Sequence, residues 1–285
     1  MAILNTALSP SWSDTSRLFG DAPIYYRATE VWVHGGDPWS VRSPLGIPFG
    51  APPPALLLNL PLLPFGEWVA RPFWAIAGLL GWLLTMRSLR LPPWWVLFPP
   101  FVEGWLAASP DPALAGLAVI GGGALSAVAK PYGVPGMLSD GRWRAATLGV
   151  GLGAVTLPLL PWATYLHEFS SIEASMRPWQ QNLSAWGDPL SMAAVAIALA
   201  LLGRRLALGL AVPGLFPGAQ LHYSIFSVGV GASSAIIAML LALPHVAPVG
   251  IVGCAVVVRV LPWVLDRAGK WDTGRVRAAI SGAGL

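Results

Sequence analysis

Charge is what this chain has least of. Only 11% of its 285 residues are charged, against about 25% in ordinary soluble domains, and its mean hydropathy is +0.64. That scarcity excludes a water-soluble globule. The single cysteine, Cys254, excludes an internal disulfide, and its apolar setting marks a buried thiol rather than a nucleophile. Four dispersed histidines and one cysteine leave no metal-ligand cluster. There is no phosphate-cradling glycine loop and no Gly-x-Ser-x-Gly elbow. Residues 1–19 lack the basic and apolar regions of a signal peptide. Repeated halves and an obvious ion path are also missing, which argues against a channel or transporter. The basic residues fall in short clusters between apolar runs, a pattern of cytoplasmic loops rather than of a nucleic-acid surface.

What is present is 28 Pro and 32 Gly punctuating long apolar runs, with 15 Trp of the kind that collects where lipid meets water. A spanning helix needs about 20 apolar residues. Runs 68–86, 92–108, 112–129, 145–165, 224–243 and 246–265 approach that length; 188–202 and 206–218 are shorter. Run 55–65, interrupted by Pro61 and Pro64, reads as a re-entrant half-helix. The expected fold is all-α: a single polytopic transmembrane helix bundle over residues 1–285. Its parts are a polar loop at 1–54, the bundle at 55–265, a second polar loop at 166–187 and a basic tail at 266–285. Arg87/Arg90, Arg142/Arg144 and Arg204/Arg205 should face the cytoplasm, which puts both polar loops on the other side and Lys130 near the cytoplasmic one.

The stretch 20–54 concentrates the chemistry. It holds Asp21, Glu30 and Asp37, three of only 13 acidic residues. Residues 22–34 have helix spacing, with Pro23 in the first turn and Gly35-Gly36 at the end, and read as an amphipathic helix lying in the interface. Asp21, at its start, is either a cap or a general base; the two roles are compatible. Tyr25 and Tyr26 either anchor in headgroups or contact substrate. Asp37 before Pro38 suits a turn, and Glu30 has Arg27 and His34 within reach. Glu103, inside an apolar run, is a functional hypothesis by default. Lys130 ends an apolar run, where it either snorkels or meets a phosphate. His222-Tyr223, between two runs, could contact an anionic headgroup.

Taken in order, these motifs resemble the GT-C glycosyltransferases, most closely glycosyltransferase family 87. The resemblance starts with DAPIYYRA at Asp21, Tyr25 and Tyr26, then GGDPW at Asp37 and PPP at Pro52. It continues with AKPY at Lys130, NLS at Asn182 and QLHY at His222. It implies a sugar transfer with inversion, mannose being the family's sugar, from a polyprenyl-phosphate donor to a glycan or glycolipid hydroxyl. Asp21 would be the base. Tyr25, Tyr26, Asp37, His222, Lys130 and Asn182 would contact substrates, with His222 first in line for the phosphate. It further implies no cofactor or metal, membrane lipids and no nucleic acid as partners, and a bacterial plasma-membrane protein whose active loop is non-cytoplasmic. Trp39 and Ala51 depart from the family's aromatic pattern, and residues 1–19 carry no helix before the acidic loop. A short or truncated member is therefore expected. A non-catalytic membrane scaffold keeping part of the fold, or a transporter, are the competing readings.

Overall fold

In a computed structural model, residues 20–43, 46–179 and 184–267 are described. Their regular structure is helical, and their β pairing is limited to one isolated bridge between Arg42 and Pro48. Helix α1 (Asp21–Val33) forms where the spacing predicts it. Gly35, at φ +80°, releases the chain from it. Asp37 then starts a short turn, its Oδ1 accepting the Trp39 amide at 3.0 Å.

The expected surface position of α1 does not hold. Ala22, Ile24, Tyr25, Tyr26, Ala28 and Thr29 are all buried. Two 3-10 helices, Pro53–Leu58 and Leu60–Phe65, wrap this helix together with α2 (Glu67–Ser88). Thr29 Oγ1 donates to the Leu56 carbonyl at 2.8 Å and Tyr26 Oη to that of Leu63 at 3.1 Å. Arg27 pairs with Glu67 at 2.6 Å rather than with Glu30. A helix with side-chain partners on several sides gains more inside the protein than at an interface, so its N-terminal half is embedded.

Among the described residues, two segments are long and apolar enough to cross a membrane, Glu67–Ser88 and Ala247–Val264. The other long runs break. Run 92–108 breaks at Phe98, between a 3-10 helix (Pro93–Leu97) and α3 (Pro99–Leu106), which opens on Pro99-Pro100. Run 112–129 divides at Gly121-Gly122 into α4 (Asp111–Val119) and α5 (Gly123–Ala129), with Gly121 at φ +104°. After α6 (Val134–Ser139), run 145–165 divides at Pro158 and Pro161 into α7 (Trp143–Val155) and α8 (Trp162–Met176). Then come α9 (Pro189–Leu202) and α10 (Arg204–Leu215). Run 224–243 is split between α11 (Val228–Gly231) and α12 (Ala235–Ala242). The chain continues as α13 (Ala247–Ala255), a π-helical stretch and α14 (Leu261–Arg267). Proline removes a backbone donor and clashes with the preceding turn, so each proline pair turns a predicted span into two short helices.

The outer surface is apolar, with Trp68 and Val249 each 77% exposed and Leu159 71% exposed. Surface of that kind is costly in water and suits lipid. Glu67 and Arg87 lie about 30 Å apart along α2. At the Arg87 end, Arg204 stacks over Trp143 at 4.3 Å, and Thr85 and Leu89 share a small cleft with Arg142. The arginine pairs therefore gather at one end. At the other, Ile172 and Met176 of α8 pack with Tyr25, Trp39 and Phe49, so the two polar loops meet.

Helix α4 crosses α2 closely because both present glycine. A Cβ added to Gly81 would lie 2.5 Å from the Pro112 carbonyl oxygen, and Gly116 faces Gly81 directly. Gly116→Val is expected to abolish the folded, monodisperse protein in detergent. Gly153→Ala, whose Cβ would meet nothing within 4 Å, should be neutral or stabilising by up to about 1 kcal/mol. In a Cys254→Ser background, Glu30→Cys and Arg144→Cys are expected to react with impermeant thiol reagents from opposite faces of sealed vesicles. Labelling from one face would overturn the placement of these two ends.

Candidate functional site

A single buried carboxylate organises the site. Asp111 is fully buried at the start of α4, where a charge needs partners. It has three. Lys130 Nζ lies 3.1 Å from Oδ1, His222 Nε2 lies 3.1 Å from Oδ2, and the Tyr132 hydroxyl donates at 2.7 Å. Asp111 and Lys130 bracket the α4–α5 hairpin, and they meet because run 112–129 turns back on itself instead of spanning. This corrects the expected cytoplasmic position of Lys130. It is buried beside α1 and donates to the Tyr25 hydroxyl.

His222 joins the site from the 3-10 helix Leu221–Ser227. Its Nδ1 lies 2.5 Å from Glu103 Oε2, and its backbone amide donates to the same oxygen at 3.2 Å. Gly104 makes that approach possible, since a Cβ there would stand 2.9 Å from the His222 Cβ. Asp21 stands on the far side of the imidazole, with Oδ2 4.0 Å from Nε2. Its backbone amide donates to the Ala107 carbonyl at 2.9 Å. Gly20 takes the cap position, and no side-chain cap bond forms. The capping role proposed for Asp21 is thus not its role here. Among the described residues its carboxylate accepts no hydrogen bond, and the side chain is 20% exposed.

These surroundings separate the titrating groups. Burial pushes Asp21 up to about 6, with the His222 charge pulling the other way. For His222, burial opposes the charged form, but Glu103 and Asp111 outweigh it and raise the imidazole to about 10. Asp21 is thereby the carboxylate poised to exchange a proton near neutrality.

Beside this cluster is a cavity of about 270 Å³. Lys130, Tyr132 and Tyr223 form part of its wall, and the rest is largely apolar and aromatic, including Trp162, Tyr165, Phe169 and Phe216. Tyr132 and Tyr223 stack at 4.1 Å, and Lys130 Nζ sits 4.7 Å from the centre of the Tyr25 ring. The cavity is a largely apolar slot whose charged lining residues are Lys130 and Glu173.

Of the residues singled out from the sequence, Asp21, Tyr25, Glu103, Lys130 and His222 come together. Tyr26 points to Leu63 on another side of α1. Asp37 stays in its turn, and Asn182 lies outside the described residues. Asp111 and Tyr132 were not assigned a role, and Tyr223 only a headgroup contact together with His222. The available signal was the pair of opposite charges, Asp111 and Lys130, at the two ends of one apolar run. Among the described residues, no group of three or more His, Cys, Asp or Glu is arranged to hold a metal ion.

The raised Asp21 carboxyl has a sign that stability can test. Below about pH 4 it is protonated in folded and unfolded chains alike. As pH rises toward about 6 only the unfolded chain ionises, so the fold loses stability, and above 6 the loss is complete. Asp21→Asn should therefore raise the thermal midpoint at pH 8, and the gain should disappear as the pH falls to about 4. A variant less stable than wild type at pH 8 would show that the carboxylate stabilises the fold.

No family model, curated protein or solved structure matches this chain.

Proposed function

We propose that the protein is a polytopic integral-membrane glycosyltransferase of GT-C type that uses a polyprenyl-phosphate sugar, mannose being the sugar the resemblance favours. The observation that carries this reading is the partly exposed Asp21 carboxylate, 4.0 Å from His222 Nε2, in a cluster whose Lys130 also lines a largely apolar cavity. An isoprenoid chain is apolar and flexible, and the aromatic lining from Trp162 to Phe216 suits it. The donor's phosphate carries one negative charge and would need a fixed cation at the mouth of that slot. Lys130 is better placed than His222, because it is among the residues lining the cavity and His222 is not, although its ammonium also pairs with Asp111.

In this reading the acceptor hydroxyl approaches from the side on which Asp21 is exposed. Asp21 takes its proton as the hydroxyl oxygen forms a bond to the anomeric carbon. The bond from that carbon to the phosphate oxygen breaks, and the polyprenyl phosphate leaves with the electron pair. Attack opposite the leaving group inverts the anomeric centre. Lys130, steadied by Tyr25 and Asp111, balances the charge that grows on the departing phosphate. The glycan or glycolipid acceptor, the membrane lipids and the non-cytoplasmic placement of α1 belong to the same proposal.

A second reading is a non-catalytic scaffold. It is favoured by how completely Asp111, Lys130 and His222 satisfy one another, as a structural ion network would.

Transfer from a polyprenyl-phosphate sugar by the purified chain in lipid discs decides between them. Asp21→Asn is expected to reduce turnover at least about 100-fold, while Asp37→Asn stays close to wild type. Wild-type turnover should rise with pH through about 6, as Asp21 ionises. Full activity of Asp21→Asn would eliminate the mechanism, and absence of transfer with every donor tried would favour the scaffold.

A further inference from the structure

His222 has no ring nitrogen left over. Nδ1 faces Glu103 Oε2 at 2.5 Å and Nε2 faces Asp111 Oδ2 at 3.1 Å. A neutral imidazole carries one N–H and one lone pair. Whichever nitrogen kept the lone pair would point it at a carboxylate oxygen, itself an acceptor. While both carboxylates are ionised, only the doubly protonated ring satisfies both contacts. A histidine held in that form is a fixed charge rather than a proton shuttle.

We propose that Glu103 and Asp111 are positioning residues that hold His222 as a permanent imidazolium, a fixed positive charge facing the Asp21 carboxylate. Every helix around the ring supplies part of this arrangement. Glu103 comes from α3, Asp111 from α4 and Asp21 from α1, while Lys130 and Tyr132 act through Asp111. Tyr223 packs edge-on against the ring at 4.9 Å. Glu103 also fixes the backbone, because Oε2 accepts the His222 amide. One carboxylate would be enough to orient a neutral histidine through its N–H. Two opposed carboxylates, on different helices, select the charged form.

The consequence for chemistry rests on the proposed role of Asp21. A buried carboxylate without a nearby cation stays protonated and cannot act as a base. The imidazolium 4.0 Å from Asp21 Oδ2 offsets part of that burial. Glu103 and Asp111 act on Asp21 only through His222, so neither needs to touch substrate.

The protonation state can be read without any assay of transfer. The full chain, labelled with 15N-histidine in detergent micelles, contains four histidines. His222→Gln identifies the His222 signals by their loss. Both ring nitrogens of His222 are expected to keep protonated shifts from about pH 5.5 to 8.5, the range in which an ordinary histidine titrates. In Glu103→Gln, His222 should acquire a midpoint inside that window. A wild-type His222 that is neutral anywhere in the window would overturn the proposal, and this result does not depend on the variant folding. A His222 that stays doubly protonated throughout in folded Glu103→Gln would remove Glu103 from it. A second readout concerns the role in transfer. His222→Gln should move the rise in turnover to higher pH, because Asp21 would lose its cation. An unshifted rise alongside an intact imidazolium signature would overturn the link to Asp21 alone. Activity that survives Asp21→Asn would instead remove the proposed base and leave the clamp standing.

Discussion

A carboxylate with no access to water has to be neutralised by the protein around it, and Asp111 is such a group. Its two oxygens gather Lys130 and Tyr132 from one segment and His222 from another, 90 positions further along the chain. Removing any one partner leaves a buried charge short of compensation, which is costly even where forming the pair gained little. The helix hairpin from 111 to 130 therefore has its ends tied, and the segment around His222 is held against it. Tyr25 then carries the network to α1. The position of Asp21 follows from these constraints, because the helix it begins can enter no deeper than Tyr25 and the Ala107 carbonyl allow.

Around this polar centre the packing uses small residues and aromatic rings. Glycines at 81 and 116 let α2 and α4 touch backbone to backbone, as close helix pairs in membranes do. Trp82, Phe98 and Phe101 stack beside them, with Trp82 and Phe101 centred 5.0 Å apart. The combination suits a body whose exterior is apolar. Little hydrophobic force drives one helix onto another in lipid, so close contact and buried hydrogen bonds supply the specificity. In the proposed reaction the same rigidity places a base, a fixed cation and a lipid slot within one small volume.

Several features were legible before any coordinates. The helix at 22–34 declared itself through its spacing, the proline in its first turn and the glycines after it. Asp37 read correctly as a turn residue. Glu103 stood out as a carboxylate in an apolar run, and it does contact His222. Asp21, Lys130 and His222 were all named, although the spacing put Lys130 at the far end of a spanning helix. That error came from treating 18 apolar residues as one element.

Composition alone determined that this chain is too apolar and too poor in charge for an ordinary soluble domain. Local chemistry determined where helices start and stop, because capping, proline and glycine act within one turn. What the sequence could not decide was which ends meet. Asp111 and Lys130 are 19 positions apart, and Glu103 and His222 are 119 apart. Whether such groups touch depends on whether each intervening run crosses or turns back, and an apolar run is equally compatible with both. Only the tertiary structure settled this, since burying a charge is tolerable solely where its partner arrives in the same place.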